Sequence, residues 1–592
     1  MSPLRVDATP TLAVIFGVGL RDFWGQFTKE RPKIAQKKWN RLQWRLLRLC
    51  SKSFEPFRKG HQLHYSRYFA WLSTFVLAAV FFFYSLPVSI FFAVLFLIGL
   101  VDLIQDHHSI LRNYPLIGHL RFMLEYIRPE IRQYFLEDDE EKIPFSRNQR
   151  AMVYSRSKQV NDKRGFGSTK SMYGQDGEWL GHSNAPLHPD PNSFRIEIGG
   201  PSCLQPYSLS IFNISAMSFG ALSPNAIRAL NKGAKLGGFA HDTGEGSISA
   251  YHREFGGDII WEIGSGYFGC RSEDGSFSEE KFIAQVGDPQ IKMVEIKLSQ
   301  GAKPGHGGVL PGPKVTAEIA LTRGVPMGQD CVSPAKHSAF TSPVELMQFI
   351  ARLRKLSGGK PVGFKLCIGQ PWEFFGIAKA MLETGICPDF IVVDGSEGGT
   401  GAAPVEFTDH VGMPLREGLR LVHNTLVGIG KRKEIAIGAS GKIISAYDII
   451  RAVAIGADWC NSARGFMFAL GCIQSRSCHT DKCPTGVATQ DLLRQRALVV
   501  PDKAERVHAF HKNTMHSLAE LIGAAGLAHP KEITADYLMC RDASGKATPL
   551  LSRLPTIGAG ALLQGAAQQS NLPEDFGLYW DRAKTNAFGL SS

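Results

Sequence analysis

From residue 208 to residue 455, short runs of β-branched and apolar residues alternate with helical patterns, and that rhythm limits the possible folds more than any other feature. SLSIFNIS (208–215) precedes a helical stretch at 224–236, MVEIKL (293–298) one at 315–322, and VGFKLCI (362–368) one at 373–383. DFIVVDG (389–395) precedes one at 415–427 and EIAIGA (434–439) one at 445–455. Strand and helix in turn imply parallel βαβ units. Roughly 280 residues hold about eight such units with insertions, so the expected fold is α/β, a closed (β/α)8 TIM barrel. A doubly wound open sheet is the alternative that periodicity leaves open. Reactive groups of a barrel gather at the C-terminal strand ends. Here those ends fall at residues 215–218, 245, 300–303, 365, 394–401, 439–442 and 462–464.

Ahead of this region residues 68–101 run for 34 positions without a charge, which reads as a membrane segment. It lies too deep in the chain to be a cleaved signal peptide. One straight helix of that length would be about 51 Å long, against a hydrocarbon core of ~30 Å. Pro87 offers a break near the middle, so a transmembrane helical hairpin is expected, with a single tilted span as the alternative. Charge supports the hairpin. The whole chain carries +12, yet residues 1–67 hold 14 Lys+Arg against 4 Asp+Glu, which is +10 of that total. Cations on the N-terminal flank keep it in the cytoplasm, and a hairpin returns the barrel to the same face. The expected location is therefore the inner membrane with a cytoplasmic catalytic domain. Residues 32–49 fit a basic interfacial helix or, equally, a charged helix on the protein body. Because the basic excess sits beside the apolar run, nucleic-acid binding is not expected. Eleven scattered cysteines suit a reducing compartment. The expected domains are an arm at 1–67, the hairpin at 68–101, a linker at 102–165, the barrel at 166–520 and an extension at 521–592.

Cys472, Cys478 and Cys483 stand close together in GCIQSRSCHTDKCPTGVATQD (471–491), separated by five and then four residues. Structural zinc sites space cysteines more tightly, and a disulfide framework wants an even number. Three thiolates on a short loop suit an iron–sulfur cluster with three cysteine ligands. Buried structural cysteines, or a zinc site completed by His479, are the alternatives.

This loop resembles the cluster loop of the glutamate synthase family, FMN and iron–sulfur enzymes that reduce 2-iminoglutarate to glutamate. MSFGALS (217–223), IKLSQGAKPGHGGVLPGPKVT (296–316) and SEGGTGAAP (396–404) are similar to family segments in the family's order, so the resemblance covers roughly residues 166–490. It implies the barrel, FMN and a 3Fe-4S cluster on the three cysteines. The turns GASGK (438–442) and NSARG (461–465) would offer Ser440, Gly441, Ala463 and Arg464 to the flavin phosphate. Lys442 stands where the family usually has glycine. Lys365 would face the flavin N1 and C2 carbonyl region. Ala216, Met217 and Ser218 would flank the ring, and Gly399, Thr400 and Gly401 would permit close backbone approach. For the substrate, the resemblance assigns Gln300 and Lys303 to 2-oxoglutarate, Lys297 and Arg323 as further cations, and Glu245 to orient ammonia or the imine. His306 replaces a glutamate common in the family.

Hydride would then pass from FMN N5 to the imine carbon, with single electrons arriving through the cluster. No cysteine precedes Cys50, so glutamine hydrolysis by this chain is not expected. Only about 100 residues follow the cluster loop, so neither is the family's C-terminal β-helical domain. No nicotinamide-binding G-x-G-x-x-G after a strand is evident, which makes an electron-donor protein such as a ferredoxin the expected partner. Two other classes remain. One is an electron-transfer subunit without a small-molecule reaction; the other is a flavin oxidoreductase acting on another 2-oxo or amino acid.

Overall fold

The computed structural model describes residues 66–139, 144–163, 165–170, 172–174, 177–565 and 572–591. The basic arm, apart from Ser66 and Arg67, and the helix expected at 32–49 lie outside the described residues. The chain divides into two units, residues 1–136 and 137–592.

In the first unit the apolar run is two helices, α1 (Phe69–Phe81) and α2 (Leu86–Ile104), folded back on each other. Ser85 is extended and Pro87 sits in the first turn of α2, where its missing N–H costs nothing. The Trp71 and Phe96 rings stack 5.0 Å apart, and the Trp71 indole donates to the Phe96 carbonyl at 2.9 Å. Ser89 donates across the pair to the Ala78 carbonyl at 2.7 Å. Among the described residues only α2 is long and apolar enough to cross a membrane; α1 has 13 residues, about 20 Å. Asp102, buried at the end of α2, accepts from the Leu116 amide at 3.0 Å and from His119 Nε2 at 2.9 Å, which ties down the start of α3 (Ile117–Ile131).

The second unit is a closed barrel of eight parallel strands. They are β1 (Phe212–Ile214), β2 (His241–Asp242), β3 (Ile259–Ile263), β4 (Ile291–Lys297), β5 (Val362–Leu366), β6 (Phe390–Asp394), β7 (Ala436–Ser440) and β8 (Trp459–Ser462). Closure comes from β8 pairing with β1, Ser462 opposite Ile214. Alternate residues point inward. Ile260, Met293, Phe390, Val392 and Trp459 pack together inside, and Ile198 and Leu209 of the antiparallel hairpin Arg195–Ile198 and Tyr207–Ser210 join them and plug one end. Further along the same strands the inward positions become Glu262, Glu295, Lys297, Lys365 and Asp394. The apolar floor and the charged layer above it are thus written on the same strands.

The helices α5 (Pro224–Gly237), α6 (Glu279–Val286), α8 (Pro343–Leu356), α9 (Pro371–Thr384), α10 (Leu415–Gly428) and α11 (Ala446–Ile455) surround the barrel. The stretch expected at 315–322 is α7 (Ala317–Arg323), a short helix inside a long excursion from β4; α8 is the helix that delivers the chain to β5. Two regions drawn as appendages fold with the barrel. In the lead-in, α4 (Arg147–Ser157) lies against α13 (Val500–Ala524): Asn513 donates to the Arg156 carbonyl at 2.8 Å and Arg156 to Ser517 at 2.9 Å. The helix α13 runs unbroken through position 520, and the strand Leu538–Arg541 pairs with Glu178–Leu180.

Candidate active site

A cavity of ≈ 1250 Å³ opens at the C-terminal ends of the strands. Of the residues expected in it, Ala216, Gln300, Lys365, Gly399, Thr400, Gly401, Ser440, Gly441, Ala463 and Arg464 all line it, as do Cys472 and Cys478. Met217 and Ser218 do not; they pack against Gly244 and Gly246. The strand-end turns explain the convergence. Gly441 has φ 149° and Lys442 φ 52°, so the chain bends sharply after β7 and turns backbone toward the cavity. Arg464 spans two parts of the site, donating to the Thr400 carbonyl at 2.5 Å and approaching Cys478 Sγ at 3.9 Å. A cavity of this size, rimmed by small-residue turns at the ends of the last two strands, fits a flavin mononucleotide.

Lys365 is 3% exposed and is met by carboxylates. It pairs with Glu262 and, at 3.1 Å, with Glu295. The Asp242, Glu262 and Glu295 oxygens lie within 4.8 Å of one another. Burial alone would favour the neutral amine, but Glu262, Glu295 and Asp242 hold the Lys365 ammonium well above its usual range. Burial pushes the Glu295 carboxyl up to about 7 against the pull of Lys365. Burial, with Glu295 nearby, raises Asp242 as well, and burial raises Asp394. With four carboxylates around Lys365, burial favours the protonated form of Glu295, Asp242 and Asp394.

A second buried group has the opposite balance. Glu245 pairs with Lys297 at 3.0 Å and accepts from Ser333 at 3.3 Å. Burial would raise its carboxyl, but Lys297, Arg323 and Lys303 together bring it down to about 2. Lys303 donates to the Ala402 carbonyl at 2.7 Å and Arg323 to the Phe219 carbonyl at 2.7 Å. Three cations therefore surround one ionised carboxylate, beside Gln300, Ala302 and His306, which line the cavity on the same loop.

The cysteine loop follows α12 (Arg464–Leu470). Cys472 and Cys483 are buried and Cys478 is half-buried. Burial pushes the Cys472 thiol up. At Cys483 burial acts the same way, but amides of Ala488, Thr485 and Val487 and the Thr485 hydroxyl outweigh it and lower the thiol. A single zinc with bonds of about 2.3 Å needs sulfurs roughly 3.8 Å apart. Among the described residues the three thiols form no group with all donor atoms within 4.8 Å, and His479 completes none.

Three features went unread in the sequence. The carboxylates Asp242, Glu262 and Glu295 come from three different strands. The lead-in joins the site, with Tyr154 donating to the Cys472 carbonyl at 2.6 Å and Gln474 to the Phe145 carbonyl at 3.2 Å. Finally, GSGYFG (264–269) does follow strand β3; it leads into turns and not a helix, so the context of a dinucleotide fingerprint is not met.

The family model for the conserved region in glutamate synthase matches residues 180–528. The chain belongs to the glutamate synthase family. It is 39% identical over 484 residues to the glutamate synthase large subunit-like protein YerD of Bacillus subtilis, covering 74% of this chain and 91% of that protein. It is 38% identical over 315 residues to the archaeal glutamate synthase (NADPH) of Methanocaldococcus jannaschii, covering 53% of this chain and 58% of that one. The glutamate synthase (NADPH) large chain of Bacillus subtilis is 34% identical over 344 residues, 21% of its length. This chain thus spans a little over half of the archaeal relative and a fifth of the large chain. Among solved structures, flavocytochrome b2 with pyruvate bound aligns at TM-score 0.36 and 11% identity, over 75% of this chain and 90% of that one. A mandelate oxidase aligns at TM-score 0.37 and 13% identity, over 65% and 97%. Membership in the family makes the chain a glutamate synthase-like oxidoreductase.

Proposed function

We propose that the chain binds FMN and a 3Fe-4S cluster and reduces 2-iminoglutarate, formed from 2-oxoglutarate and ammonia, or a closely related imino acid. The observation that carries this reading is the group of Lys297, Lys303 and Arg323 around Glu245 beside the cavity. Three cations against one carboxylate leave two positive charges, which match the two carboxylates of a dicarboxylate keto acid. Glu245, ionised throughout the neutral range, accepts hydrogen bonds from ammonium or an iminium N–H; it cannot serve there as an acid. Gln300 adds a neutral donor at the cavity wall. When bound, FMN supplies hydride chemistry and the cluster supplies electrons one at a time. Ser440, Gly441, Ala463 and Arg464 would hold the flavin phosphate end, Lys365 with its carboxylates would set the charge beneath the ring, and Cys472, Cys478 and Cys483 would ligate iron.

Anaerobic purification, with iron and flavin assayed and spectra recorded before and after adding 2-oxoglutarate and ammonia, tests the proposal. Reoxidation of the reduced flavin by that pair is the expected result. Stoichiometric zinc without iron would refute the cluster. One observation favours a different acid: the His306 Nδ1 is buried without a hydrogen-bond partner and the side chain lines the cavity, so the assay must include a panel of keto acids. An electron-donor protein of ferredoxin type is proposed as partner, because GSGYFG lacks the helix a nicotinamide site requires.

Membrane attachment through α1 and α2 belongs to the same proposal. The α3 helix supports it. Ile117, Leu120, Leu124, Ile127 and Ile131 recur at helical spacing, with Leu120 51% exposed, and Arg121 and Arg128 border that stripe, the pattern of a helix lying at a membrane interface.

A further inference from the structure

Lys314 is the one charged residue among the largest fully buried side chains of the described residues, 2% exposed. It closes the short turn Gly312–Lys314 in the excursion between β4 and β5. Its ammonium donates to three backbone carbonyls: Ala221 at 3.0 Å, Cys478 at 3.2 Å and Ala488 at 3.3 Å. Two other buried lysines of the site have carboxylates, Lys365 with Glu262 and Glu295 and Lys297 with Glu245, whereas Lys303 and Arg323 each donate to one backbone carbonyl. Among the described residues Lys314 forms no ion pair. The carboxylate of Asp481 favours the ammonium from nearby without forming an ion pair and accepts from the Gln490 amide at 2.7 Å, while Arg323 adds an opposing positive charge to the neighbourhood. Three neutral carbonyls orient an ammonium without neutralising it, so burying it there is costly unless an anion lies close by.

We propose that Lys314 is a positioning residue for the iron–sulfur loop and that its buried charge raises the reduction potential of the cluster held by Cys472, Cys478 and Cys483. This rests on the cluster reading given above. Two contacts carry the charge to the sulfurs. The carbonyl of Cys478 itself accepts from Lys314. Ala488 offers its carbonyl to Lys314 and its amide to the Cys483 sulfur, so the ammonium polarises a peptide whose N–H points at a ligand. Hydrogen bonds to sulfur and nearby positive charge both favour the reduced, more negative cluster. Through Ala221 the same ammonium is fastened to the loop that follows β1, so that loop and the cysteine loop share one clamp.

The test compares wild type with Lys314→Met and Lys314→Gln, each as the full chain purified anaerobically, by iron content, EPR and redox titration. Both variants are expected to keep iron, and their cluster potential should fall by at least a tenfold change in the oxidised-to-reduced ratio, about 59 mV for one electron. Glutamine keeps a hydrogen-bond donor and removes the charge, so it remains informative if methionine prevents folding. Iron lost in Lys314→Met and restored in Lys314→Gln at the wild-type potential would reduce Lys314 to a loop clamp and overturn the proposal. An unchanged potential in iron-loaded variants would do the same. If wild type itself holds no iron, the cluster reading has failed, and this inference with it.

Discussion

Lys365, expected beneath the flavin, is surrounded by more negative charge than it can neutralise, and the consequence is measurable at single residues. Glu295 is held up to about 7 by burial, against 4.5 in an unfolded chain. A carboxyl that keeps its proton longer when folded supports the fold fully below about 4.5, and that support is lost as pH rises through about 7. Glu295→Gln carries no charge at any pH. Its melting temperature should therefore fall less than that of wild type between pH 5 and pH 7, and parallel curves would mean that Glu295 is ionised in the fold. Glu245 lies at the other extreme, held at about 2 by its cations, so substrate binding should show no titration from it near neutrality. Lys303→Ala removes one of those cations and one charge-assisted hydrogen bond, about 1.5 to 3 kcal/mol. Titration of the flavin spectrum should show 2-oxoglutarate binding weakened on the order of tenfold to a hundredfold, with flavin content unchanged.

At the scale of elements, the packing of α5 on α13 gives a test in which local propensity and tertiary contact disagree. Gly233 lies in the interior of α5, where alanine would ordinarily favour the helix by about 1 kcal/mol. A methyl there, however, would run into the Val507 side chain and the Ala504 carbonyl, and overpacking costs about 1–3 kcal/mol. Gly233→Ala is expected to destabilise in urea unfolding, and the double variant Gly233→Ala/Val507→Ala should lose less than the sum of the two single losses, since only the Val507 Cγ1 clash is relieved while the Cβ and the Ala504 carbonyl remain. Local patterns in the sequence carry such elements well. The runs 362–368, 389–395 and 434–439 are strands β5, β6 and β7 because parallel strands buried on both faces read as apolar stretches. The three cysteines of the proposed cluster loop stand out for the same reason: they lie within twelve residues. The two residues of β2 leave no periodic trace, and β3, although apolar, went unpicked. Asp242, Glu262 and Glu295 meet only when three strands close into a barrel, so no spacing rule could bring them together. The lead-in helix α4 is polar enough to pass for a linker, and only its hydrogen bonds to α13 place it in the barrel unit.

For the whole molecule the architecture of residues 68–101, taken with the proposed membrane attachment, makes a definite expectation of topology possible. One straight helix would send the two flanks to opposite faces. The turn at Pro87, with Trp71 stacked on Phe96 and Ser89 bonded to Ala78, instead brings the end of α2 back beside the start of α1, so in a membrane both flanks would emerge on one side. On the proposed topology the cations of residues 1–67 would hold the first flank in the cytoplasm. If α1 spans as the proposal has it, its length of about 20 Å would require local thinning of the bilayer, at a modest cost. Reporter fusions after residue 130, made in a bacterial host, should therefore be fluorescent with a cytoplasmic reporter and inactive with a phosphatase that requires export. Replacing Ser85 and Pro87 by alanine and leucine offers the complementary test. If the break at Pro87 sets the topology, the double variant should favour a continuous helix of 34 residues, tilted across the bilayer, and should shift part of the phosphatase fusions to the exported side. Exported activity from the unaltered chain would show that α2 alone spans the membrane and that the barrel lies outside the cytoplasm.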